Sequence, residues 1–179
     1  MKISSLSINA RQAYINLNPR LAQIYPCRIG RKGHIHASKG REGDEKTPLG
    51  NYKLRFGLYR PDRLPPPKSS LTFWPIKRDD GWCDDAGDAA YNRFIRLPYA
   101  ASHESLWRED GAYDIILVMN HNDSPPQRDE NGIGLGSAVF IHIAQPDDRK
   151  TLGCIAITPD DMARLLPHLY VGMDVRIHD

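Results

Sequence analysis

The sequence predicts a mainly-β domain of mixed sheets with one or two covering helices. Three observations carry that expectation. Short runs rich in β-branched and aromatic residues recur between clusters of Gly, Pro, Asn and Asp. Two of them, YDIILVMN (113–120) and SAVFIHIA (137–144), are apolar enough to be central, buried strands. The clearest helical period lies near the C-terminus, where Met162, Leu165, Leu166 and Leu169 fall at i, i+3, i+4 and i+7.

Taken in order, Ile3 to Ile8, Ala13 to Leu17 and Leu21 to Ile29 read as a meander of short strands. Residues 9–12 (NARQ) and 18–20 (NPR) supply its turns. A basic run follows: Arg28, Arg31, Lys32, His34, His36, Lys39 and Arg41. No aromatic residue is interleaved with these charges, so a solvated strand edge is expected and no nucleic-acid partner. His34 and His36 share a face if extended, but no cysteine or carboxylate stands at short ligand spacing, and no metal site is assigned. Thr47-Pro48-Leu49-Gly50 is expected to turn into the strand NYKLRFGLY (51–59). RPDRLPPPKSS (60–70) reads as an extended surface loop. Residues 81–99 are polar and aromatic with little period, a loop of the kind that serves as a flap. Asp84, Asp85 and Asp88 within it do not complete a calcium loop. Ser102 is placed to cap a short helix, HESLWRED (103–110). A second flap is expected at 121–136, which is rich in Pro and Gly. Thr158 then caps the C-terminal helix with Pro159 at its first position, and a strand from Met173 to Ile177 ends the chain.

Length and composition set outer bounds. A chain of 179 residues, 40% hydrophobic and with a formal charge of +2, is read as one domain, 1–179, with no demand for a polyanionic partner. MKISSLSINA has no apolar run of signal-peptide length, and no stretch approaches membrane-spanning length. The three cysteines leave two states open: all free, or a Cys27–Cys83 pair with Cys154 left as the free thiol.

The chemistry concentrates at 137–158, SAVFIHIAQPDDRKTLGCIAIT. A strand carrying His142 is followed by a polar excursion and a tight Thr-Leu-Gly-Cys, and Gly153 permits the sharp turn that presents Cys154. A thiol beside an imidazole is the minimum for nucleophilic acyl transfer, the histidine managing the proton. On its own, such a pair also reads as a core histidine and an inert buried cysteine.

Three blocks in order argue for the reactive reading. The His…Thr-x-Gly-Cys-Ile pattern, the segment REGDEKTPLGNYKL, and the block of GWCDD, YNRFIRLP, SHESLWRED and YDIILVMN together resemble the L,D-transpeptidase (YkuD) catalytic domain. Within that family the likeness is to a small Gram-negative branch, from about Arg28 to the C-terminus. The resemblance implies a β-sandwich or barrel of mixed sheets, with Cys154 as nucleophile, His142 as general base, Gly153 contributing oxyanion amides and Thr151 supporting the site. It places the Thr47–Gly50 segment beneath the site as scaffolding. It implies substrate contacts at Trp82, Tyr91, Asn92, Arg93, His103, Trp107 and Asn120, with Glu104 nearby. Leu152 and Ala156 stand where relatives often carry His and Arg or Asn, and Arg93 is the cation assigned to a substrate carboxylate in their place. The implied partners are peptidoglycan peptide stems, with free D-amino acids in an exchange reaction. The implied compartment is the periplasm, in a chain acting as a monomer with no metal or organic cofactor. Hydrolysis of a stem or a tethered lipoprotein would use the same residues, and a non-catalytic wall-binding module would need neither Cys154 nor His142 as reagents.

Overall fold

A closed barrel organises the molecule. The computed structural model describes residues 5–18, 23–147 and 149–179. Thirteen strands and one short α-helix are formed among them. The chain opens with β1 (Ser5–Asn9), β2 (Tyr14–Asn18) and β3 (Gln23–Arg28), the expected meander. Ile3, Leu21 and the 18–20 turn lie partly or wholly outside the described residues. Next come β4 (His34–His36), the 13-residue β5 (Thr47–Tyr59) and β6 (Phe73–Pro75). After a small separate sheet, β10 (Ile115–Met119), β11 (Phe140–Ile143), β12 (Ile155–Ile157) and β13 (Asp174–His178) complete the barrel. The circuit runs β10-β11-β12-β3-β2-β1-β13-β5 and closes where β5 pairs back onto β10. Closure leaves those eight strands with no free edge. The sheet is mixed, since β1–β13 and β11–β12 are parallel pairs while their neighbours are antiparallel.

β10 shows why the run YDIILVMN is apolar on successive residues. Ile115, Leu117 and Met119 point into the barrel core with Ile141, Ile143, Ile155 and Ile157. Ile116 and Val118 point outward into a second core with Trp82, Leu106, Tyr113 and Phe140. A strand covered on both faces has no polar side to display. The outer cover is the three-stranded sheet of β7 (Asp80–Cys83), β8 (Phe94–Arg96) and β9 (His103–Ser105), in the order β8-β7-β9.

Three expectations are corrected here. Residues 81–99 are not one loop: their ends are strand, Gly81–Cys83 in the fully buried β7 and Phe94–Arg96 in β8, with the irregular residues 84–93 between them. The helix expected over 103–110 does not form. Its first residues pair with β7, Trp82 opposite Glu104, and Leu106 and Trp107 turn into the second core. Pairing inside a covered sheet outweighs the propensity of a short segment that has only one apolar turn to bury. The Thr47-Pro48-Leu49-Gly50 segment is likewise strand rather than turn: β5 begins at Thr47 and pairs parallel with β4.

The C-terminal expectations hold. Helix α1 (Pro159–Leu165) starts at Thr158, whose Oγ1 accepts the Asp161 N–H at 3.2 Å, with Pro159 in the first turn. Met162, Leu165, Leu166 and Leu169 are all buried in the barrel core. Cys27 and Cys83 are separate free thiols, one in the barrel wall and one at the end of β7. No helix among the described residues is long and apolar enough to cross a membrane.

Candidate active site

The site lies where the barrel wall meets the outer sheet. β11 and β12 pair in parallel with Ile141 opposite Ile155 and His142 opposite Ala156. Alternation sends Ile141, Ile155 and Ile157 into the barrel and Phe140, His142, Cys154 and Ala156 outward. His142 and Cys154 are therefore diagonal neighbours on one face, a separation of roughly 7–8 Å between backbone positions, and both line one cavity. Ala156, directly opposite His142, is small enough to leave the space between them open.

Each reactive side chain is held by backbone. His142 is buried, and its Nδ1 bonds the Ile143 carbonyl at 2.9 Å, which makes Nδ1 the protonated nitrogen and leaves Nε2 as a lone pair. Burial lowers the imidazole pKa, so the ring is neutral. The Tyr113 ring packs edge-on against it, centroids 5.4 Å apart. Cys154 Sγ donates to the Ala138 carbonyl at 3.1 Å and accepts the Phe140 N–H at 3.4 Å. Burial, with the charge of Glu104 second, pushes its thiol up to about 12. The resting pair is thus thiol and neutral imidazole rather than thiolate and imidazolium.

The turn before Cys154 is tied to β5. Thr47 is fully buried, and its Oγ1 donates to the Gly153 carbonyl and accepts the Gly30 N–H, both at 2.9 Å. This is the expected scaffolding role of the TPLG segment. Thr151 closes the turn on itself. Its Oγ1 donates to the Cys154 carbonyl at 2.6 Å and accepts the Gly153 N–H at 3.2 Å. Gly153 sits at φ +139°, and a Cβ there would stand 3.1 Å from the Lys46 carbonyl oxygen, so glycine is required on both counts.

Two cavities open on Cys154. The larger, about 400 Å³, is lined by His142, Tyr113, Ala156 and Thr151 and carries the cations Arg31, Arg108, Arg149 and Lys150. Arg108 is fixed there by a two-pronged pair with Asp110 and lies 5.0 Å from the Tyr113 ring centroid. The smaller, about 240 Å³, is lined by Glu42, Asp44, Glu45, Asp84, Glu104 and His121, among others. Only Glu104, Leu152 and Cys154 line both.

The seven residues expected to contact substrate line neither cavity. Tyr91 is fully buried and donates to Glu42 at 2.6 Å. Trp82 Nε1 donates to Asn92 Oδ1 at 2.9 Å, and Asn92 Nδ2 ties the His121 and Asn122 carbonyls. Asn120 accepts the Lys53 N–H, and His103 bonds the Ala101 carbonyl. The Trp107 ring is covered by the guanidinium groups of Arg60 and Arg78, at 3.8 and 4.7 Å from its centroid. Arg93 faces Asp123 at 3.2 Å. These residues build the walls behind the site and join the 121–136 segment to the outer sheet. Arg108, Asp110 and Tyr113 were missed by sequence reasoning. Arg108 and Asp110 fall in the segment expected to be helix and Tyr113 heads the strand run 113–120, so neither pattern marks them as site residues, and only the fold brings them to the cavity at Cys154.

A family model described as the L,D-transpeptidase catalytic domain (YkuD) matches residues 5–177. Among solved structures, Bd1075 of Bdellovibrio bacteriovorus is similar at 17% identity and a TM-score of 0.49, over 99% of this chain and 48% of that one. L,D-transpeptidase 1 of Mycobacterium tuberculosis is similar at 12% identity and a TM-score of 0.43, over 97% and 60%. The chain thus spans about half to three-fifths of the length of these structures. No curated protein matches it.

Proposed function

The chain belongs to the L,D-transpeptidase (YkuD) catalytic domain family, and on that premise we propose that it is a cysteine acyltransferase acting on peptidoglycan peptide stems. The observation that carries this reading is the shared outward face of His142 and Cys154 over a cavity lined by both.

A donor stem enters the cation-lined cavity, where Arg108 is the best-placed partner for a carboxylate, with Arg31, Arg149 and Lys150 at its sides. Cys154 Sγ attacks the carbonyl that precedes a D-residue while His142 Nε2 takes the thiol proton. Because burial holds the thiol near 12, the proton moves as attack occurs and not before it. The tetrahedral oxyanion is stabilised by backbone amides, the Cys154 N–H first, each such donor typically contributing about 3 kcal/mol. His142 returns the proton to the departing amine, and a thioester remains on Cys154. A side-chain amine of a second stem then resolves it into a 3-3 or 1-3 cross-link. Water in that step makes the enzyme an L,D-carboxypeptidase or hydrolase, and a free D-amino acid makes it an exchange enzyme. The stem lies outside the inner membrane, so the site of action is the periplasm.

Incubation with purified muropeptides and mass spectrometry of the products tests this directly. Wild-type protein should convert donor stems, Cys154→Ala should leave folded protein with no conversion, and His142→Ala should slow alkylation of the remaining thiol. Conversion by Cys154→Ala above background removes Cys154 from the mechanism. An alkylation rate unchanged in His142→Ala removes His142 as its partner.

A further inference from the structure

Resting on the acyl-transfer reading, we propose that Arg60, which lines neither cavity, is a positioning residue for the reaction. Its buried guanidinium clamps the segment 107–114 from behind, and that segment carries Arg108 and Tyr113 to the His142 side of the site.

The clamp begins where the barrel closes. β5 pairs with β10 as far as Tyr59 opposite Ile115, and the ladder runs one step further, the Arg60 N–H donating to the Asp114 carbonyl at 3.0 Å. The side chain of the same residue takes the other end of the segment. Its Nη1 donates to the Arg108 carbonyl, and the guanidinium lies over the Trp107 ring, 3.8 Å from the centroid. Nε and Nη2 donate to the two Asp62 oxygens, each at 2.9 Å. One residue thus pins both feet of 107–114. Arg63 repeats the bridge from a more exposed position, donating to the Glu109 carbonyl at 3.1 Å and to Asp114 Oδ1 at 2.8 Å. A guanidinium that is 1% exposed is a poor means of adding stability, because an apolar side chain fills such a place at lower desolvation cost. What it supplies is direction, through planar donors at fixed angles.

Between its feet the segment is tied to the His142 ring. Arg108 pairs through both prongs with Asp110, and Asp110 Oδ1 also accepts the Ala112 N–H at 3.1 Å. The Ala112 carbonyl accepts the Ile143 N–H at 3.1 Å, and the Ile143 carbonyl in turn holds His142 Nδ1. Tyr113 packs edge-on against the imidazole and donates its hydroxyl to Glu104 at 2.6 Å. Releasing the clamp therefore loosens the orientation of the base and the place of the cation assigned to the donor carboxylate. A shift of about 1 Å in such groups costs up to about a hundredfold in rate.

The test uses the full chain as wild type, Arg60→Met, Arg63→Gln and, as a control destabilised elsewhere, Thr158→Ala. Two readouts are taken where each protein is folded. One is the rate of iodoacetamide alkylation mapped to Cys154, which needs no donor; the other is kcat and KM on a defined donor stem. Arg60→Met should slow alkylation toward the rate of His142→Ala, by about tenfold, lower kcat as much, and raise donor KM about fivefold. Arg63→Gln should move all three in the same direction by about threefold. Thr158→Ala should leave them within about twofold of wild type. If Arg60→Met does not fold, the Arg63→Gln arm decides. Wild-type alkylation and kinetics in folded Arg60→Met, or in Arg63→Gln where only that variant folds, overturn the clamp. Equal alkylation of wild type and His142→Ala overturns instead the acyl-transfer pair on which it rests.

Discussion

At the scale of single residues, the choice of cation for the substrate carboxylate separates sequence reasoning from geometry. Arg93 was legible as a cation in the right block, and Ala156 as a place where relatives carry a polar group. Neither position reveals that Arg93 pairs with Asp123 and lines neither cavity at Cys154, or that Arg108, itself paired with Asp110, stands in the cavity with His142. Arg108→Ala should raise the donor KM about tenfold, the loss of one charge-assisted pair. Arg93→Ala should change it less than about twofold. Steady-state kinetics on a defined donor stem checks both, and the reverse order would return the role to Arg93. Cys154 and His142 themselves were legible because glycine before cysteine and an isolated histidine in an apolar strand are local signals.

At the scale of elements, the active turn depends on its tie to β5. Thr47→Val keeps the shape but leaves the buried Gly30 N–H and Gly153 carbonyl without partners, at a cost of about 1–3 kcal/mol for each group. The urea midpoint should fall and Cys154 turnover should fall with it, while Thr47→Ser should retain both. Thr158→Ala makes a useful contrast. Losing that helix cap should cost about 1 kcal/mol with turnover unchanged, because β12, paired on both sides, stands between the cap and the Thr151–Cys154 turn and holds that turn independently of it. The start of helix α1 was legible to the residue, since cap and proline are local, while its apolar stripe runs on past Leu165 through the 3-10 turn Leu166–His168. The segment 103–110 was not, because its strand state exists only by pairing with β7.

At the scale of the whole molecule, two buried neutral histidines make the fold acid-sensitive. His121 is held at about 4 and His142 is also lowered by burial, while in the unfolded chain both titrate near the ordinary value of 6.5. As pH falls below 6.5 the unfolded state binds protons first, so stability is present above that value and drains away as pH drops toward 4. For His121 alone the loss between pH 7 and pH 5 is about 2 kcal/mol. Urea unfolding at the two pH values measures it, and His121→Gln should remove that share of the dependence. A stability independent of pH over this interval would mean that His121 is not held neutral.

The sequence by itself determined the mainly-β class, the meander, the C-terminal helix and the resemblance that led to the family, and it singled out Cys154 and His142 as the candidate pair, because each rests on patterns within a few residues or on motifs in fixed order. Only the tertiary structure decided that the barrel closes, that the ends of 81–99 join a sheet covering β10, and that a cavity rich in cations and one rich in carboxylates meet at Cys154. The physical reason lies in non-local pairing. Closure joins β5 to β10 across about a third of the chain, and the charge lining each cavity comes largely from segments whose positions that closure sets.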